Sequence, residues 1–282
     1  MRKRFVASAF ALLAALVFSP LARTQTIDGW GRPIVPPTQG KKPGPAPRRD
    51  IFGVWDPANG VGDGIQPLGA KAMPEDGRPE HELPYTPLGR EALNRTKPSN
   101  GARSVLSGDT NDPVVYCDPQ GFPRETLYEL RTTQILQTPD KVVILYEFDK
   151  VWRVIWTDGR ELPEDPEPRW FGYSVGKWVD DYTLVIETSG MDERTWVDRA
   201  GRPHSADLRV EERFHRVDED TLELTVTIDD PQMYTKPWVA LNKFPMRLRP
   251  ASFDVREMLC SPSEFAEYNR LLGKPASGKG AR

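Results

Sequence analysis

The sequence predicts a mainly β protein, an antiparallel meander that closes as a lipocalin-like barrel, with a β-sandwich as the alternative. Three observations predict it. Between residues 126 and 230 short apolar segments recur, separated by Gly, Asp and Pro turns. Several of them alternate strictly: Leu208, Val210, Glu212 and Phe214 with Arg209, Glu211 and Arg213, and Leu222, Leu224, Val226 and Ile228 with Glu223, Thr225 and Thr227. A period of two puts one face on a core and the other in water, and no segment here carries the three- and four-residue spacing of a helix. Finally, no strand–helix–strand spacing is present to build a parallel sheet.

In chain order, Ile51 to Trp55 reads as the first strand, ended by Asp56-Pro57, and residues 58–84 as a long Gly- and acid-rich loop. Thr86 followed by Pro87 has the chemistry of a helix N-cap and first helical position, so a short helix follows. Tyr116 to Pro123 is turn chemistry throughout. Thr132 to Leu136 and Val142 to Phe148 flank the turn Thr138-Pro139-Asp140-Lys141; Val151 to Thr157 comes next. Ser174 to Trp178 and Thr183 to Thr188 surround Asp180-Asp181, and Asp218-Glu219-Asp220 joins the two alternating strands. A second short helix is expected over Ser263 to Leu272, capped by Ser261 or Ser263. Eight to ten strands in all would close as a barrel, removing exposed edges and leaving an interior able to hold a ligand.

The N-terminus has the layout of a cleavable secretory signal over residues 1–24. Arg2, Lys3 and Arg4 precede an uncharged apolar run from Phe5 to Phe18, then Pro20, with Ala22 and Thr24 at −3 and −1 of the expected cleavage site. The run is too short for the roughly 20 residues that span a bilayer, so no membrane span is expected and the destination is periplasmic or secreted. Residues 25–50, rich in Pro and Gly, are expected to form an arm or linker, residues 51–273 a single β domain, and residues 274–282 a disordered tail. Loss of Arg2, Lys3, Arg4 and Arg23 would take the net charge from −3 to −7. An acidic surface argues against a nucleic-acid partner, which needs a basic face. Cys117 and Cys260 are the only cysteines; in an oxidising compartment they are expected to form one disulfide.

Two resemblances enter through particular residues. Gly53-Val54-Trp55 resembles the Gly-x-Trp that opens lipocalin-type barrels, although Gly176-Lys177-Trp178 repeats the tripeptide. More broadly, residues 51–262 are similar to an uncharacterised family of exported bacterial β-rich proteins. That similarity is carried by Cys117 to Arg124 (CDPQGFPR), Asp158-Gly159-Arg160, Gly172 to Trp178 (GYSVGKW), Gly201 to Ser205 (GRPHS) and Glu212-Arg213-Phe214. It implies a shared fold and site and lends no reaction.

Candidate chemistry concentrates in two places. The loop from Asp192 to Ser205 holds His204, one of three histidines. A His beside a carboxylate can act as general acid or base, so His204 with Asp158 or Asp198 as its orienter is the candidate catalytic group, with Ser205 or Ser174 as a hydroxyl partner. The competing reading makes the same loop turn chemistry, with His204 and Ser205 capping the next strand. In the second place, Arg160 is a candidate anion clamp, and Trp152, Trp156, Trp170, Phe171, Tyr173 and Trp178 either line a ligand cavity or fill the core. Substrate-binding candidates are therefore Arg160, Trp170, Tyr173, Ser174 and Ser205. The acidic neighbours Glu164-Asp165, Asp180-Asp181 and Asp229-Asp230 point to opposite faces if on strands and form no dyad by themselves. No metal-ligand spacing, phosphate loop, dinucleotide fingerprint or Gly-x-Ser-x-Gly elbow occurs, so neither metal nor cofactor is expected. The readings that remain are an exported small-molecule binder, a cofactor-free lyase, isomerase or hydrolase using His204 and Arg160, and an envelope structural or interaction protein.

Overall fold

The computed structural model describes residues 42–276 and 278. The expected signal sequence and most of the expected Pro/Gly-rich arm lie outside the described residues. The chain forms a closed barrel of nine strands: β1 (Gly53–Pro57), β2 (Thr133–Gln137), β3 (Lys141–Tyr146), β4 (Trp152–Trp156), β5 (Tyr173–Trp178), β6 (Thr183–Ser189), β7 (Arg209–Arg216), β8 (Thr221–Asp229) and β9 (Trp238–Leu248). Each strand neighbours the next in sequence, and β9 pairs with β1 to close the ring.

The hairpins fall within a residue or two of where the turn chemistry places them. Inward positions of β7 and β8, including Val210, Phe214, Leu224 and Val226, are buried, while the alternate positions are half-buried or exposed. The lumen is packed with side chains. Ile135, Ile144, Ile155, Leu184, Ile186 and Leu241 meet Trp55 inside it. A barrel filled in this way is a core.

β1 opens on Gly53, beside β9. Its φ of +143° belongs to the region that favours glycine, and a Cβ there would lie 2.5 Å from Leu248 Cδ1 on β9. Two residues on, Trp55 is fully buried, donates its indole N–H to the Ile51 carbonyl (3.0 Å), and carries the Arg216 guanidinium over its ring at 4.6 Å. β1 begins at Gly53; Ile51 and Phe52, expected in this strand, precede it, and Ile51 is nonetheless buried.

One part of the predicted topology is corrected. The meander is not antiparallel throughout, because β4 and β5 run parallel. The reason is arithmetic. Strands that strictly alternate in direction can close a ring only in even number, so nine strands leave a parallel neighbour pair. That pair falls where the connection is long enough, since residues 157–172 exceed the dozen or so that a parallel return needs. β9 was also absent from the sequence reading. It is the longest strand, bears a register shift opposite Leu224 and Val226, and contains Pro245, so its alternation is broken.

More helical turns are present than the one or two expected. Within the region 58–84, read as loop, lie α1 (Val61–Gly64) and a 3-10 turn at Pro79–His81. The Thr86 cap holds: α2 (Pro87–Arg95) starts there, with Thr86 Oγ1 accepting from Gly89 N at 3.0 Å. α3 (Arg124–Leu127) follows the turn at Phe122-Pro123. α4 (Pro262–Tyr268) is capped by Ser261 and continues through a π-type turn, Asn269–Gly273, into α5 (Lys274–Ala276), within the stretch expected to be a disordered tail. Cys117 and Cys260 form the expected disulfide, tying the C-terminal segment to the loop before α3. No helix among the described residues is long and apolar enough to cross a membrane.

Candidate functional site

The parallel seam is where the barrel wall is thinnest. β4 and β5 share a ladder of only two residue pairs, Ile155 with Ser174 and Trp156 with Val175. The first half of β4, from Trp152 to Val154, is paired to β3 on one side and has no β5 ladder on the other. At Gly176 a Cβ would lie 2.9 Å from Ile155 Cγ2, so glycine is what lets the two strands meet where they do. The returning segment, stiffened by Pro163, Pro166 and Pro168, runs outside the wall.

Between wall and crossover lies an open groove of about 430 Å³. Its β4 wall is the outward row Trp152, Val154 and Trp156, and its β5 wall is Tyr173 and Val175, preceded by Phe171. The crossover contributes Arg160, Glu161 and Arg169. Two of the rings carry a guanidinium: Arg160 sits 3.6 Å from the Trp156 ring centre, and Arg169 4.2 Å from that of Tyr173. Lys141 also packs on Trp156, at 4.8 Å. Arg160 is neutralised by Asp158, which accepts from its Nε (3.0 Å) and Nη2 (2.7 Å). The same bonds hold the Asp158 carboxyl below the usual carboxylate range. Arg169 has no acidic partner among the described residues. The Tyr173 hydroxyl donates to the Glu167 carbonyl (3.1 Å), pinning the ring to the crossover.

The floor of the groove is polar. Arg153 and Ser174 are inward residues on either side of the seam, and both line it. Arg153 is bound by Glu212 of β7 through two bonds of 3.2 and 2.8 Å, and it also donates to Tyr146, Ser174 and Thr188. Burial works against the guanidinium charge, but the Glu212 carboxylate more than offsets it and keeps Arg153 protonated. The Phe122 ring caps the pair, 3.6 Å from Arg153.

Three of the sequence-derived candidates, Arg160, Tyr173 and Ser174, come together in this groove. Trp170 lies beside it, beneath Arg194 at 4.4 Å, with its carbonyl accepting from Phe122 N. Trp178 packs partly against the core. Asp158 is not an orienter of His204; it pairs with Arg160 on the exposed turn. Asp198 does not reach His204 either. Its carboxylate accepts from Ala70 N (2.8 Å), Ala200 N (3.0 Å) and Arg202 (3.0 Å), which makes it a structural clasp for the 192–205 loop. His204 is buried, with Nε2 on Thr195 Oγ1 (2.8 Å) and Nδ1 on the Ser205 carbonyl (3.1 Å). Burial depresses its pKa and favours the neutral ring. Ser205 is claimed by Asp230, which accepts from both its N–H (2.6 Å) and its hydroxyl (2.8 Å). Acid/base chemistry needs hydrogen-bond reach to an orienting acid and to a substrate. His204 lines none of the grooves described for the barrel surface, and neither Asp158 nor Asp198 bonds to it, so the three do not form the expected group. The capping reading of that loop is the one its geometry supports.

Sequence reasoning missed Arg153, Arg169 and Glu212. Arg153 carried a signal: within Trp152 to Trp156 it occupies an inward slot of an alternating strand, where a charge demands a partner. Glu212 occupies the same kind of slot in β7.

A second buried polar group lies under the 120–127 segment. Glu125 is fully buried with neither carboxylate oxygen hydrogen-bonded, and burial raises its pKa well above the usual range. Asp149 nearby, on the β3–β4 turn, is pushed up to about 6, first by burial and then by Glu129. No group of three or more metal-ligating acids, histidines or cysteines occurs among the described residues.

No protein-family model, curated protein or solved structure matches the chain.

Proposed function

We propose that this chain is an exported small-molecule binder whose site is the β4–β5 seam groove. The observation that carries this reading is the meeting of aromatic walls, Trp152, Trp156 and Tyr173, with a polar floor where the two-pair β4–β5 ladder opens. Binding sites are concave, mostly apolar, and fixed by a few convergent polar groups. The filled lumen turns the ligand out of the barrel interior, where lipocalin-type binding would place it, and onto the wall. Export is supported by the N-terminal signal pattern and by the Cys117–Cys260 disulfide, which belongs to an oxidising compartment. The cofactor-free enzyme reading loses its acid/base group with His204.

The experiment is steric. Val154→Trp fills the groove from its β4 wall, and Val239→Trp places the same bulk on the outer face of β9, another partly exposed position. The fluorescent probe 1-anilinonaphthalene-8-sulfonate is titrated into the folded mature chain and into both variants. Binding by wild type and Val239→Trp, lost in Val154→Trp, supports the groove. Equal binding by all three removes it.

A further inference from the structure

We infer that the seam groove takes a neutral carbohydrate, with a pyranose ring lying on Trp152; this rests on the reading of the groove as the binding site. Trp152 is 64% exposed on the β4 wall, and among the described residues no ring or cation packs on it. Its neighbours Trp156 and Tyr173 are already covered by Lys141, Arg160 and Arg169. Trp152 is therefore the platform left for a ligand. A flat sugar ring presents polarised C–H groups on one face, which suit the negative face of an indole, and hydroxyls around its rim.

The charges decide between a neutral and an ionic ligand. Arg160 is neutralised by Asp158 and Arg153 by Glu212, and the two other charged residues of the lining, Arg169 and Glu161, are opposite in sign. Counted with those partners, the groove has three guanidinium groups and three carboxylates, a formal balance that favours neither an anion nor a cation. The chain as a whole is acidic, which further disfavours an anion. What remains is a set of planar donors and acceptors able to bond pairs of adjacent hydroxyls. The groove is also open, which suits a segment of a longer glycan better than a fully enclosed apolar molecule.

The test is a printed array of neutral glycans, followed by calorimetry of the best binder against wild type, Trp152→Ala and Trp152→Phe. Oligogalacturonate serves as the acidic counterpart, and the fluorescent sulfonate probe serves as a check on the groove itself. The expected result is binding of a neutral glycan, weakened about tenfold or more by Trp152→Ala and largely kept by Trp152→Phe, since the ring face is the contact. Trp152 is exposed, so its loss leaves folding intact. Preference for oligogalacturonate overturns the charge argument. Binding of the sulfonate probe in the groove with no glycan bound overturns the carbohydrate assignment and leaves the groove standing. Failure of all probes overturns both.

Discussion

Arg153 on β4 and Glu212 on β7 form a two-bond ion pair across the barrel lumen, with both side chains almost wholly buried. Neither strand neighbours the other in the sheet. The pair therefore braces opposite parts of the wall, and it does so at the parallel seam, where β4 and β5 share the shortest ladder with Ile155 and Trp156 alone. Tyr146, Ser174 and Thr188 use further donors and acceptors of the same cluster.

Breaking this pair from one side strands a buried charge. Arg153→Met is expected to cost about 3–5 kcal/mol, whereas Arg153→Met combined with Glu212→Met recovers much of that loss. Urea denaturation of the two single variants and the double variant reads the coupling. Additive losses would show that the two side chains are independent.

Asp149 gives the protein a specific pH dependence. Its folded-state pKa of about 6 lies above the ordinary 3.8, so the folded state holds this proton more tightly. The associated stability is complete below pH 3.8 and is lost as pH rises through about 6. The full shift corresponds to about 3 kcal/mol, which partial exposure reduces to about 1–2 kcal/mol. Asp149→Asn keeps a residue tolerant of the positive φ found there and removes the titration. The variant should gain stability over wild type at pH 8 relative to pH 4. A gain of the same size at both pH values points to backbone preference alone.

The Cys117–Cys260 bond closes a loop of 143 residues. On the chain-entropy model its removal costs about 3–5 kcal/mol. Cys117→Ser/Cys260→Ser should lower the urea midpoint, and reductant should do the same to wild type while leaving the double variant unchanged. Matching midpoints for oxidised wild type and the double variant would show that the bond adds nothing to stability.

His204 acts on stability, not on the groove. Because burial lowers its folded-state pKa below the ordinary 6.5, its contribution is present above pH 6.5 and is lost as pH falls below that value. His204→Gln should flatten this acid-side loss. Removing the bond to Thr195 should also cost about 1 kcal/mol at neutral pH. Probe binding at the seam should not change. A groove affinity that fell with His204→Gln while stability stayed level would return His204 to the site.

By itself the sequence determined the segments of eight of the nine strands and which way the residues of the alternating ones face, because a period of two is written locally in residues such as Val210, Glu212 and Phe214. It also determined the Thr86 helix cap and the pairing of two lone cysteines, and it collected Arg160, Tyr173, Ser174 and the surrounding tryptophans into one stretch of chain. Only the tertiary structure decided what these groups do together. Alternation tells a residue its face but not its neighbour, so Arg153 and Glu212, 59 residues apart in sequence, could be matched only across a closed wall. Likewise Asp158 and Asp198 were both candidate partners of His204 on paper and proved to be occupied elsewhere. The parallel seam is the plainest case. It follows from the number of strands in the ring, and that number depended on β9, whose bulge and Pro245 hide its period. Strand count is a property of the whole barrel, and the groove between β4 and β5 exists because that count is odd.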